Sequence, residues 1–194
     1  MRGVRRFAQM GLWFGGALVL LAAVLIGIDV VMRKFLDRSI GGADELAGYA
    51  LAIGTTWSLG AALLDRAHIR IDSLYVHFPQ KIRLLLDVVA VVLLVGFFGL
   101  ILWHGLGVVG QSWTSDSRSQ SALETPVIIP QILWIAGLLA FVLVGVALLI
   151  EALRLAVSGD LQGMAKLIST RSAEEEVEDE VKDLMDRQTR EGNR

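Results

Sequence analysis

Between Glu45 and Asp65 the chain carries 19 residues without a charge, Leu46 to Leu64. A helix rising ~1.5 Å per residue needs about that many to cross a hydrocarbon core. The span is not uniformly greasy. Gly48, Ala52, Thr56 and Gly60 recur at every fourth position, and Ala50, Gly54, Ser58 and Ala62 do the same on a neighbouring face. Small side chains at this spacing let helix backbones approach closely in lipid, where packing and hydrogen bonding drive association. The two small faces serve packing within the chain or packing on a separate subunit, and the spacing does not choose between them. Leucine at Gly48, Ala52 or Gly60 is expected to loosen that packing.

Further spans follow the same logic. The composition is 54% hydrophobic with only 20% charged residues, and the charges cluster at intervals, which places the chain in the membrane class. The start, Met1-Arg2-Gly3-Val4-Arg5-Arg6, is basic and leads into an apolar run from Gly11 to Ile28. That run exceeds a usual signal-peptide core, and apolar character resumes through Val30-Val31-Met32, so a retained helix is expected. Asp29 and Arg33, four apart near its end, are placed to pair. The expected spans are about 11–33, 45–64, 82–110 and 131–152. They make an all-α, integral membrane four-helix bundle over residues 1–157. Between helices two and three, Ile69, Ile71, Leu74, Val76 and Phe78 alternate with charged and polar residues up to Pro79. A short segment lying along the membrane surface is expected there. Asp87 falls in the first turns of the third span, and Trp103 and His104 mark its far interface. From residue 158 to 194 the chain is acidic, with the pattern of a cytoplasmic tail that is partly helical or disordered.

Lysine and arginine set the orientation. With both termini on one side, that side holds 14 of them and the opposite side 4. Both termini are therefore expected in the cytoplasm.

Several chemistries are excluded. The chain has no cysteine, hence no disulfide, thiolate metal site or cysteine nucleophile. No phosphate-binding glycine loop, paired zinc-ligand histidines or nucleophile elbow is present. No enzymatic activity, metal or cofactor is expected in this chain. A bis-histidine haem site needs histidines facing each other inside the bundle, and His104 at a helix end is the sole candidate. Carboxylates within the spans, expected of a solitary pump, reduce to Asp29 and Asp87 near the ends. The residues favour a membrane scaffold or accessory subunit. The second reading is a membrane anchor subunit of a respiratory oxidoreductase.

Asp44-Glu45-Leu46-Ala47-Gly48-Tyr49 and, one span later, His68-Ile69-Arg70-Ile71-Asp72 give the chain a family likeness. With Arg33 ending the first helix and Pro79 after the surface segment, the sequence resembles the small-permease subunit of TRAP (tripartite ATP-independent periplasmic) transporters from about Phe14 to Ile150. The resemblance implies a small subunit that does not itself carry substrate. Its implied partners are a large permease of about twelve helices, which moves a substrate-bearing domain in an elevator manner on a sodium gradient, and a periplasmic substrate-binding protein. The substrates implied are small organic acids, and the membrane is the bacterial inner membrane. The implied motif residues suit bracing. Arg33 and Glu45, flanking the first outer loop, are placed to pair with each other and so pin the first hairpin, or to meet a periplasmic partner. His68, Arg70 and Asp72 are placed for lipid phosphate, the large subunit or a self-contained polar turn.

Overall fold

The computed structural model describes residues 2–66 and 78–168, together with Val181, Leu184 and Met185. Four long helices dominate: α1 (Arg2–Leu36), α2 (Ala43–Leu64), α3 (Gln80–Thr114) and α4 (Ile128–Val157), followed by a short α5 (Leu161–Ile168). Each of the four is long and apolar enough to cross a membrane. The surface segment expected after α2 lies outside the described residues, apart from its last members. Helix ends extend past the expected limits because polar residues continue a helix as readily as apolar ones. The consequence is largest in α3, which reaches Thr114 instead of Gly110. His104 is thereby ten residues, about 15 Å, inside the helix end. Trp103 and His104 lie within the helix, short of its end.

The helices do not surround one centre. α1 packs along α2, α2 along α4, and α4 along α3, giving a row in the order α1, α2, α4, α3. Glycine sets the spacing at each contact. A methyl group on Gly54 would meet the Gly15 carbonyl oxygen at 2.7 Å, and one on Gly11 would meet the Trp57 carbonyl oxygen at 2.6 Å. The α2–α4 contact has Gly137 under Thr56, where a methyl would lie 2.5 Å from the hydroxyl oxygen. A methyl on Gly105 of α3 would lie 2.6 Å from Ile135 Cδ1 of α4. Such small-on-large contacts bring backbones together where lipid supplies no hydrophobic drive between helices. Trp57 ties three helices. Its ring meets Phe14 edge-on at 5.4 Å, and its indole N–H donates to the Leu133 carbonyl at 3.0 Å.

At the end that holds the N-terminus, an apolar core gathers Leu63 of α2, Leu84, Val91 and Val95 of α3, and Phe141, Val144 and Leu148 of α4. Met164 and Ile168 of α5 complete it, so the packed region continues past residue 157. The reversal into α5 is locally encoded. Gly159 adopts φ 79°, Asp160 N–H bonds to Leu155 O at 3.0 Å, and Gly159 N–H to Ala156 O at 3.2 Å. This pair of bonds is the Schellman arrangement that closes a helix. The Asp160 carboxylate then accepts from Gly163 N–H at 2.8 Å, capping the start of α5.

Candidate functional site

The polar residues of the opposite end, where the α1–α2 and α3–α4 loops lie, form two linked clusters. The first is built on Asp29, buried at 1% exposure. Its Oδ2 receives Arg33 Nη2 at 2.6 Å. Its Oδ1 accepts from the Ser39 hydroxyl at 3.0 Å and from the Ile40 backbone N–H at 2.6 Å. The carboxylate thus ties the last turns of α1 to the loop that follows. Arg33 reaches on to Asp44 Oδ2 at 3.4 Å, where an acidic first turn also suits the dipole of α2. Gly42, at φ 85°, turns the chain into α2 in a backbone region that favours glycine.

The second cluster is a clasp. The α3–α4 loop doubles back on itself, with Ser119 N–H bonding to Thr125 O at 2.9 Å and Val127 N–H to Ser117 O at 3.0 Å. Its tip lies over the α1–α2 turn. Leu123 packs on Gly42 so closely that a methyl there would collide with it, and Ala122 stands 3.3 Å from the same position on Gly41. Glu45 Oε2 accepts a hydrogen bond from the Ser121 hydroxyl. Its Oε1 is buried without a donor at full hydrogen-bond geometry, and the hydroxyls of Ser119, Tyr49 and Thr125 surround the carboxylate. A carboxylate in a ring of hydroxyls positions a loop; it supplies no nucleophile or general base to a substrate.

These contacts correct one expectation. Arg33 pairs with Asp29 and Asp44, and Glu45 belongs to the clasp. Neighbouring helix positions differ by about 100°, so Asp44 and Glu45 cannot both face α1.

The stripe on α2 also divides. Thr56 and Gly60 are buried, Thr56 at Gly137 and Gly60 at Val144, 3.5 Å from a Cβ position. Gly48 and Ala52 are exposed, and a methyl on Gly48 would meet nothing within 4 Å. Four-residue steps drift by about 40° each on a helix of 3.6 residues per turn. Gly48 and Gly60 therefore lie about 120° apart. The second stripe contributes Gly54 and Ser58 to the α1 contact. His68, Arg70 and Asp72 lie outside the described residues.

At mid-depth the row is apolar. The buried polar residues among those described are Asp29, Thr56 and Asp87, and the Thr56 hydroxyl bonds its own helix, to Ile53 O at 2.9 Å. A path for an ion or acid through the described part of this chain has no polar lining there.

Compared with known families, residues 11–155 match the model described as tripartite ATP-independent periplasmic transporters, DctQ component. The chain belongs to the DctQ family. No curated protein and no solved structure gave a match. As a DctQ component it is a non-catalytic, multi-pass membrane subunit of a TRAP transporter, a family that works with a large permease and a substrate-binding protein. Membership sets aside the respiratory anchor. The DctQ site also contains residues to which the sequence assigned no contact: Tyr49, read only as part of a motif, and Ser39, Ser119, Ser121 and Thr125. Tyr49 carried a signal, since it stands four residues after Glu45 on one helix face. The loop hydroxyls carried none, because a serine-rich loop has no periodicity from which to read a target.

Proposed function

We propose that this DctQ subunit widens and steadies the stationary scaffold of a sodium-coupled transporter for a small organic acid. The large permease subunit carries the substrate and the sodium sites, and the periplasmic binding protein delivers the acid. The chain sits in the bacterial inner membrane with both termini in the cytoplasm, which puts the Glu45 clasp on the periplasmic side. Arg33, Asp29 and Glu45 then act as pins that fix the two outer loops against each other. A pair of this kind specifies geometry more than it stabilises. His68, Arg70 and Asp72 take the cytoplasmic interface, toward lipid phosphate or the large subunit.

One observation carries the reading: four helices stand in a row whose mid-depth interior, among the described residues, holds no buried ionisable group. A row has two broad faces and two edges to lend to a neighbour, and this one has no machinery of its own. The test is reconstitution. Proteoliposomes holding this chain alone should take up no acid. Adding the large subunit and the binding protein should give uptake that requires a sodium gradient. Uptake by the chain alone, or uptake by the full system unaffected by collapse of the sodium gradient, would refute the reading.

A further inference from the structure

The last turns of α4 border a groove of about 460 Å³, lined by Ile150, Leu153, Arg154, Val157 and Ser158, a volume within the range of small-molecule sites. The helix period places it there. Phe141, Leu148 and Ala152 turn into the apolar core. At about 100° per residue, Ile150, Leu153 and Val157 fall on the opposite side of the helix. α5 packs on the core side through Met164 and Ile168 and contributes nothing to the groove wall.

Charge and position select what fills it. Ile132 to Ile150 is an uncharged run of 19 residues, about the thickness of a hydrocarbon core. Arg154 stands about 6 Å past that run, at the level where a bilayer presents its phosphates. Its side chain is 76% exposed, and its ion pair with Glu151 Oε2 is 3.7 Å long, too long for a hydrogen bond. The guanidinium thus keeps its planar fork of donors for a ligand, and a phosphate accepts two of them side by side. Ile150 and Leu153 on the membrane side of it, and Val157 at 91% exposure, give an acyl chain an apolar wall.

Other occupants fit less well. Val181, Leu184 and Met185, the described residues of the acidic tail, are exposed and line no part of the groove. A second copy docked face to face about a two-fold axis would set Arg154 against its own counterpart, and like charges at close range repel.

We propose that this groove holds one anionic phospholipid, with its phosphate on the Arg154 guanidinium and an acyl chain along Ile150, Leu153 and Val157. The site belongs to this chain and stands whichever solute the transporter carries.

The test is lipid binding to the full chain in mild detergent, counted by native mass spectrometry with phosphatidylglycerol and phosphatidylcholine as probes. The wild-type chain should hold one phosphatidylglycerol, about fivefold more tightly than phosphatidylcholine. Arg154→Gln should remove that preference. Leu153→Trp, which fills the groove and keeps the charge, should weaken both lipids several-fold. Arg5→Gln removes an exposed positive charge at the same end of the molecule and should change binding by less than about twofold. Circular dichroism and a single symmetric gel-filtration peak establish that each variant is folded. Equal retention of the two lipids by the wild-type chain would overturn the proposal. Equal losses in Arg154→Gln and Arg5→Gln would overturn it as well, by showing a diffuse basic surface. The measurement is then repeated on the chain co-purified with the large subunit. Lipid retained there supports the site; lipid displaced there assigns the groove to the large subunit and refutes it.

Discussion

Gly15 and Gly16 are adjacent in sequence and opposite in environment. A methyl on Gly15 would overlap the Gly54 carbonyl and lie 2.5 Å from the Ser58 hydroxyl, whereas one on Gly16 would touch nothing. Gly15→Ala should therefore force α1 from α2 and destabilise by about 1–3 kcal/mol, the usual cost of overpacking. Gly16→Ala should be neutral or stabilising by up to ~1 kcal/mol, through helix propensity. Thermal unfolding in one detergent compares them directly, and equal shifts would mean that the α1–α2 contact is not close. Asp29 offers a second contrast. Removing its side chain takes the acceptor from three donors at once, on Arg33, Ser39 and Ile40, of which Arg33 keeps Asp44, while removing that of Arg33 leaves Asp29 two of its bonds. Buried groups left unsatisfied cost more than the bond they lose. Asp29→Ala should lower the unfolding temperature by several degrees, and by more than Arg33→Ala does. The reverse order would place the stabilising role on the arginine.

The α3–α4 loop is the element whose position depends most on one side chain. Glu45 holds it through Ser121, and Leu123 covers Gly42. Glu45→Ala should free the loop tip without unfolding the helices. Arg118, whose side chain is half exposed, then becomes a reporter. Trypsin should cut after it several-fold faster in the variant, with the circular dichroism spectrum unchanged. Equal cleavage rates would show that the loop holds its own shape, on its internal bonds at Ser119 and Val127 alone. This element also marks the limit of what the sequence discloses. The four helices were legible because uncharged runs of bilayer length have few alternatives. The Asp29–Arg33 pair was legible because both residues lie on one helix, at a spacing that fixes their separation. The partner of Glu45 was not, because Ser121 is 76 positions away and tertiary contacts set the meeting. Likewise the α2 stripe read as one face, and helical drift together with α4 divided it into a packed half and an open half.

At the scale of the whole molecule, the row makes orientation consequential. The clasp, the Asp29 cluster and the two loops share one end, while the N-terminus and the core containing Met164 and Ile168 share the other. Which end meets the periplasm decides whether the clasp faces the incoming substrate or the cytoplasm. The orienting signal along the chain is the distribution of lysine and arginine: counted with both termini on one side, the segments of that side carry 14 and the two loops opposite carry 4. Positive residues are retained in the cytoplasm, and Arg118 is the only one in the α3–α4 loop. A fluorescent protein fused after Arg194 should therefore fold and fluoresce, and alkaline phosphatase at the same site should be inactive. A whole enzyme inserted in the α3–α4 loop would break the clasp, so the probe for that end is a small one, Ala122→Cys in this otherwise cysteine-free chain. Ala122 is exposed at the loop tip, and its cysteine replacement should react with a membrane-impermeant maleimide added to cells with a permeabilised outer membrane. Active phosphatase after Arg194 together with a protected cysteine at the loop would invert the molecule and carry the clasp to the cytoplasmic side.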